Sequence, residues 1–257
     1  MTRWVRFITA EGAPGMGALE GATIAEVRGA SFTDAQSTGR RLALADVRLL
    51  SPCTPTKVIA LWNNFRALGE KLGKAAPSHP LFLIKPATSV IGTAEPIRRP
   101  ARYSGKIVFE GELGIVIGRE CRNATVEEAG DFILGYTCVN DVTAAEIIAE
   151  DPNFPQWTRS KGFDTFSCIG PAITTDLDWA GARVVTTLDG VERQNYPLAD
   201  IIFPPHEIVS RISGDMTLHA GDVIAVGTSI GVGSMKDGAT VCVSIEGIGE
   251  LRNTVVA

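Results

Sequence analysis

Histidine is scarce in this chain: three occur in 257 residues, at 79, 206 and 219, and none is spaced as H-x-x-x-H. That shortage argues against histidine-rich zinc or copper centres. The five cysteines (Cys53, Cys121, Cys138, Cys168 and Cys242) are odd in number, widely spaced and never form C-x-x-C, so neither a disulfide framework nor a thiolate zinc site is indicated. No apolar run approaches the ~18 residues of a membrane span. The opening MTRWVRFITAEGAPG also lacks the apolar core and small-residue cleavage site of a signal peptide. With a formal charge of -5 and no clustered Lys/Arg run, the chain has no electrostatic footprint for nucleic acid or an anionic membrane. What remains is a cytoplasmic protein with reduced thiols and a small-molecule partner, in which any metal is a hard ion held by oxygen.

Short strands punctuated by glycine fill the N-terminal part: RWVRFITA, TIAEVRG and LALADVRLL, with GAPGMG and TDAQSTG read as turns. They predict a small β-rich domain over 1–54, with SPCTPT as a linker into a second domain over 55–257. There the strand KVIALW precedes a helix over 63–72 that Gly73 stops. Thr125 and Glu128 have capping-box spacing and predict a helix over 126–134. YTCVND reads as a strand, VTAAEIIAE as a helix, and DPNFPQWTRSKGFDTF as an irregular loop. Asp189-Gly190 signals a hairpin in ARVVTTLDGVERQ, and PPHEIVSRISG a short helix started by prolines and stopped by Gly214. GDVIAVG and ATVCVSIEGIGEL close the chain as strands. The fold class is mainly β with a few helices, α+β.

One segment stands out. KIVFEGELGIVIG, Lys106 to Gly118, reads as a strand with Ile107, Phe109, Leu113, Ile115 and Ile117 on one face. Val108, Glu110, Glu112 and Val116 share the other. Two like charges side by side near a core cost several kcal/mol each unless a cation compensates them. Taken alone, the pair also suits a solvent-facing antiparallel strand. Asp141, at the end of an otherwise apolar strand, favours the first reading. Three carboxylates without a histidine form a hard oxygen set for Mg²⁺ or Mn²⁺.

These motifs in order carry a resemblance: Glu110 and Glu112 as E-x-E, YTCVNDVTA with Asp141, RSKGFDTFSCIGP with Lys161, then IIFPP and GDVIAVGTSIGVG. Over roughly Lys57 to Leu251 the chain resembles the fumarylacetoacetate hydrolase superfamily, in its branch of bacterial 2-hydroxyhepta-2,4-diene-1,7-dioate isomerases and 5-carboxymethyl-2-oxo-hex-3-ene-1,7-dioate decarboxylases. The resemblance implies a mixed β-sandwich roll, a homodimer, and one divalent metal held by Glu110, Glu112 and Asp141. It also implies a 2-oxo acid substrate, β-diketo or dienol, chelated through its oxo or enol oxygen and adjacent carboxylate. Lys161 matches the family's active-site lysine, where its alternative is an exposed loop lysine. Thr228, beside Gly227 in GTSIGVG, resembles the threonine that binds the substrate carboxylate, and Gln194 falls where relatives place ligand-facing polar groups.

The chain departs from the family at the lid. Hydrolytic members carry a histidine and a glutamate there that activate water, whereas LWNNFRALGEKLG has no histidine and offers Arg66 or Leu68 in its place. Arg66 and Glu70 are four apart, which suits a surface ion pair. Alternatively, Arg66 binds a substrate carboxylate as the segment closes and Glu70 serves as base. His79 is a further candidate base. Without the dyad the expected chemistry leans to decarboxylation or to keto-enol or double-bond isomerisation, which need chiefly an electron sink. Carbon-carbon hydrolysis of an acylpyruvate and a catalytically weak, metal-binding sensor are the alternatives.

Overall fold

The first strands form a meander with glycines packed inside them. In the computed structural model, which describes residues 1–29 and 31–257, β1 (Arg3–Thr9), β2 (Pro14–Glu20), β3 (Thr23–Arg28) and β4 (Gln36–Ala43) pair in sequence. β5 (Val47–Leu49) returns to pair with β1. GAPGMG and TDAQSTG, expected as turns, therefore contribute mostly to strands. A Cβ at Gly15 would lie 2.4 Å from the Phe7 ring, and one at Gly17 would lie 2.6 Å from the Ala25 carbonyl oxygen. These glycines make room across the sheet rather than turn the chain.

The chain continues through β6 (Lys57–Trp62), α1 (Arg66–Lys71), β7 (Leu81–Pro86), β8 (Val90–Ile91), β9 (Ile97–Arg98), β10 (Ile107–Phe109) and β11 (Gly111–Ile117). β12 (Ile133–Asp141), β13 (Thr143–Ala144), α2 (Trp157–Lys161), β14 (Ser167–Thr174), β15 (Arg183–Leu188) and β16 (Val191–Pro197) follow. The last elements are α3 (Pro205–Asp215), β17 (Val223–Ala225), β18 (Gly233–Met235), β19 (Thr240–Ile245) and β20 (Gly249–Val256).

Among the described residues these strands make a 12-stranded sheet in the order β4-β3-β2-β1-β14-β12-β11-β17-β6-β7, with β5 and β8 beside it, a five-stranded sheet β16-β15-β19-β20-β9, and a three-stranded sheet β13-β10-β18. The main core joins Leu113, Ile115 and Ile117 of β11 to Val184, Val243 and Leu251 of the five-stranded sheet. Val116, Val139 and Val223 pack on the opposite face, as strand alternation requires. The result is a mixed β-sandwich with few helices, as the fold class anticipated. The N-terminal meander joins the main sheet through β1 and β14.

Several elements differ from expectation. The strand over 106–118 is two strands, broken at Glu110 where the chain passes from the three-stranded to the 12-stranded sheet. The capping box does form: the Thr125 N–H donates to Glu128 Oε2 at 3.0 Å and the Glu128 N–H to Thr125 Oγ1 at 3.3 Å. Only a 3-10 turn, Ala129–Phe132, follows before β12 claims the apolar residues from Ile133. VTAAEIIAE is β13 plus a 3-10 turn, and the expected loop over 151–166 contains α2. α1 starts late because Asn63 has φ +56° and Phe65 is extended, bridging Ile201, whereas Gly73 at φ +63° ends it as expected. α3 runs through Gly214 to Asp215. The Asp189-Gly190 hairpin forms with φ +51° and +79°, the two positive angles that such a turn needs.

Candidate metal centre and active site

The break after β10 puts Glu110 at the crossing between sheets, and Glu112 enters β11 two residues later. β12 ends opposite them: Gly111 pairs with Asn140, and the Asp141 N–H donates to the Glu110 carbonyl at 2.9 Å. Carboxylate oxygens of Glu110, Glu112 and Asp141 thereby come within 4.8 Å of one another. Glu112 is 0% exposed and Asp141 1%.

Lys161, the last residue of α2, reaches into this cluster. Its Nζ donates to Asp141 Oδ2 at 2.6 Å, Thr143 Oγ1 at 2.7 Å and Glu110 Oε1 at 2.8 Å. The alternative of an exposed loop lysine fails here, since Lys161 is 3% exposed. A second ammonium escaped the sequence reasoning. Lys85 Nζ donates to Asp141 Oδ1 and, at 2.7 Å, to the Phe166 carbonyl. Its signal was its parity: Lys85 lies on the same side of β7 as buried Leu83, while Ile84 between them faces outward.

The charges sort the three carboxylates. Burial pushes the Asp141 carboxyl up, but the Lys161 and Lys85 ammoniums outweigh this and hold it below the usual range. Burial disfavours the Lys161 cation, yet Asp141, Glu110 and Glu112 raise its pKa above the ordinary value. For Lys85, burial prevails over Asp141 and lowers it. Among the described residues Glu112 has no ammonium partner of its own. Burial raises its carboxyl well above the usual value, and the charges of Asp141 and Glu110 raise it further. Glu112 Oε2 accepts the Gly227 N–H at 2.8 Å, while buried Oε1 has no hydrogen-bond partner among the described residues. An orphaned buried carboxylate oxygen, in a cluster with one more carboxylate than ammonium, fits an oxygen-liganded divalent cation.

The other expected site residues divide into two groups. Gly227, at φ +95°, aims its N–H at Glu112, and a Cβ there would lie 3.2 Å from the Leu61 carbonyl oxygen. The Thr228 hydroxyl donates to the Gly111 carbonyl at 2.9 Å and accepts from Gln194 Nε2 at 2.9 Å. Gln194 Oε1 in turn accepts the Gly111 N–H at 3.0 Å. Thr228, Gly227 and Gln194 are thus brought to the two glutamates. Arg66 and Glu70 are exposed on α1, and no hydrogen bond among the described residues joins either to the cluster. Nor do they pair with each other: the Arg66 guanidinium donates to the carbonyls of Asp200, at 3.1 Å, and Ile201. All three histidines are occupied elsewhere. His79 meets Arg211 at 3.1 Å, His219 meets Glu120 at 3.3 Å, and the His206 ring lies against Gly130.

Comparison with known proteins places this geometry. The family model described as fumarylacetoacetate (FAA) hydrolase C-terminal matches residues 57–256. The chain belongs to the fumarylacetoacetate hydrolase family. A second model, Rv2993c-like N-terminal, matches residues 2–52. The crystal structure of 2-hydroxyhepta-2,4-diene-1,7-dioate isomerase from Mycobacterium marinum is 40% identical with a TM-score of 0.90, covering 100% of this chain and 98% of that one. The mitochondrial oxaloacetate decarboxylase of Dictyostelium discoideum is 36% identical over 76% of this chain and 91% of its own length. Oxaloacetate tautomerase YisK of Bacillus subtilis is 31% identical over 83% and 74%. More distant is maleylpyruvate hydrolase from Sphingobium sp. SYK-6, solved with manganese(II) and pyruvate: 27% identity, TM-score 0.79, covering 99% and 98%. This member of the fumarylacetoacetate hydrolase family therefore has enzymes of isomerase, tautomerase, decarboxylase and hydrolase type as relatives. No helix among its described residues is long and apolar enough to cross a membrane.

Proposed function

We propose that this protein is a divalent-metal enzyme that converts a 2-oxo carboxylic acid through an enolate, by decarboxylation or by keto-enol or double-bond isomerisation. The observation that carries the reading is a largely buried cluster of three carboxylates and two ammoniums in which, among the described residues, one carboxylate oxygen lacks a partner and no imidazole takes part. Glu110, Glu112 and Asp141 would hold a Mg²⁺ or Mn²⁺ ion, which would supply Lewis acidity toward the 2-oxo group and the negative charge that develops beside it. Lys161 stays protonated at the same place, and by turning one N–H from Glu110 toward the substrate it stabilises the developing oxyanion or orients the carboxylate. Thr228 and Gly227 line the glutamate side, and the Thr228 hydroxyl contacts the substrate carboxylate when its donor leaves the Gly111 carbonyl. Lys85 keeps Asp141 ionised and fixed.

Arg66 and Glu70 enter this reading through movement of α1: release of Arg66 from the Asp200 and Ile201 carbonyls frees its guanidinium for the substrate's second carboxylate. The chain acts as a cytoplasmic homodimer with an N-terminal domain over 1–54 and a catalytic domain over 55–257. Hydrolysis is the second reading, favoured by the likeness to the maleylpyruvate hydrolase, with Glu70 as its water-activating base.

The test is product analysis. Metal-loaded protein is incubated with oxaloacetate, acylpyruvates and a hydroxymuconate-type dienol, against chelator-treated and free-metal controls. Carbon dioxide or an isomer without water incorporation supports the proposal, and two acid fragments carrying solvent oxygen select hydrolysis. No turnover above the free-metal background rejects both in favour of a catalytically weak binding protein.

A further inference from the structure

The backbone between the two glutamates is held by side chains to an unusual degree. Besides the β11–β12 ladder that begins at Gly111, the Asp141 N–H donates to the Glu110 carbonyl at 2.9 Å. The Glu110 N–H donates to Asn140 Oδ1 at 3.0 Å and the Gly111 N–H to Gln194 Oε1 at 3.0 Å. The Gly111 carbonyl accepts twice, from the Tyr196 hydroxyl at 2.6 Å and the Thr228 hydroxyl at 2.9 Å. Position 111 has no room for a side chain, since a Cβ would lie 2.0 Å from Thr186 Oγ1.

Two of these grips come from one strand. Gln194 and Tyr196 alternate inward on β16 while Arg193, Asn195 and Pro197 face out, so β16 holds the peptide of Gly111 from both sides. Tyr196 is 5% exposed, and its ring packs edge-on against Phe65 at 5.0 Å, which fixes where its hydroxyl points. Its hydroxyl donates to the Gly111 carbonyl and lies beside the Thr228 hydroxyl that donates to the same oxygen. A carbonyl pinned between residues 110 and 112 sets the directions in which both glutamate side chains leave the backbone.

We infer that Tyr196 is a positioning residue: through its bond to the Gly111 carbonyl it sets the separation of Glu110 and Glu112 and so tunes the affinity of the cation site. The inference rests on the metal reading given above. Groups that orient metal ligands typically contribute 10–100-fold to affinity. Because Thr228 still holds the same carbonyl, the low end, about tenfold, applies here.

The test is Mn²⁺ binding to the full chain by calorimetry and by electron paramagnetic resonance of the bound ion. Tyr196→Phe keeps the ring and removes the hydroxyl, and it is expected to weaken Mn²⁺ binding about tenfold and to change the resonance line shape. Tyr136→Phe is the control, since the Tyr136 hydroxyl makes no hydrogen bond among the described residues, and its Mn²⁺ affinity is expected to equal wild type. If Tyr196→Phe lowers the melting temperature but leaves affinity and line shape unaltered, Tyr196 only packs and the inference fails. If Tyr196→Phe does not fold, Gln194→Met removes the other grip of β16 and is judged by the same two readings. Failure of wild type to bind Mn²⁺ overturns the metal reading itself, an outcome distinct from equal binding by wild type and variant.

Discussion

Replacing Glu112 by glutamine should make the metal-free protein more stable while abolishing its response to metal. Glu112 is fully buried, its Oε1 has no hydrogen-bond partner among the described residues, and carboxylate oxygens of Glu110 and Asp141 lie within 4.8 Å. Glutamine has the same shape. Its carbonyl keeps the Gly227 N–H, and its amide N–H groups then face the two carboxylates that the Glu112 oxygen repels. An unsatisfied buried polar group costs about 1–3 kcal/mol, and a charged one more. Removal of that cost should stabilise chelator-treated Glu112→Gln by roughly 1–3 kcal/mol in urea unfolding at pH 7. Wild type should gain about 2.7 kcal/mol from Mn²⁺ at a hundred times its dissociation constant, and the variant nothing comparable. The reasoning is refuted if the variant without metal is less stable than wild type, or if Mn²⁺ stabilises both equally.

Three further substitutions probe other parts of the account. Lys85→Met leaves Asp141 with only one ammonium; breaking such a buried pair should cost about 3–5 kcal/mol, and a loss under 1 kcal/mol would show that Lys85 is dispensable. Arg66→Ala should lower kcat/KM about tenfold, equivalent to ~1.4 kcal/mol, with a stability change near 1 kcal/mol from the two lost carbonyl bonds; an unaltered rate leaves Arg66 as a tether alone. Asp222 tests pH dependence away from the site. Burial pushes its carboxyl up, but Lys57, 2.5 Å away, and the His219 N–H and Thr56 hydroxyl overcome this and hold it below the ordinary value. A carboxyl depressed in the folded state adds stability that is complete above the unfolded pKa of about 3.9 and disappears as pH falls through the folded value. Asp222→Asn should therefore cost about 2–3 kcal/mol at neutral pH and flatten the acid limb below about pH 4. An acid limb identical to wild type would exclude Asp222 as its source.

The site was more legible in the sequence than the elements around it. Glu110, Glu112 and Asp141 announced themselves because charge inside apolar patterns demands an explanation, Lys161 entered through the family resemblance alone, and the fold brings all four together. Lys85 escaped because a lysine beside Pro86 resembles the polar end of a strand, and only alternation from Leu83 points it inward. Tyr196 was hidden differently: its partner is a backbone carbonyl 85 residues away in sequence, which no local pattern encodes. Gly15 and Gly17 misled because a glycine that admits a neighbouring ring or carbonyl looks, in sequence, like one that turns the chain. The helix expected over 126–134 had a correct N-terminal signal, but pairing of Ile133 and its successors with β11 outweighed helical propensity.

The central claim is enolate formation that depends on a cation at Glu110, Glu112 and Asp141. Its most direct measurement is solvent deuterium exchange at C3 of oxaloacetate, followed by NMR with metal-loaded protein, chelator-treated protein and Glu112→Gln. Exchange well above the free-metal background that vanishes with chelation and with Glu112→Gln is the result expected. Exchange no faster than free metal, or exchange indifferent to both chelator and Glu112→Gln, would contradict it.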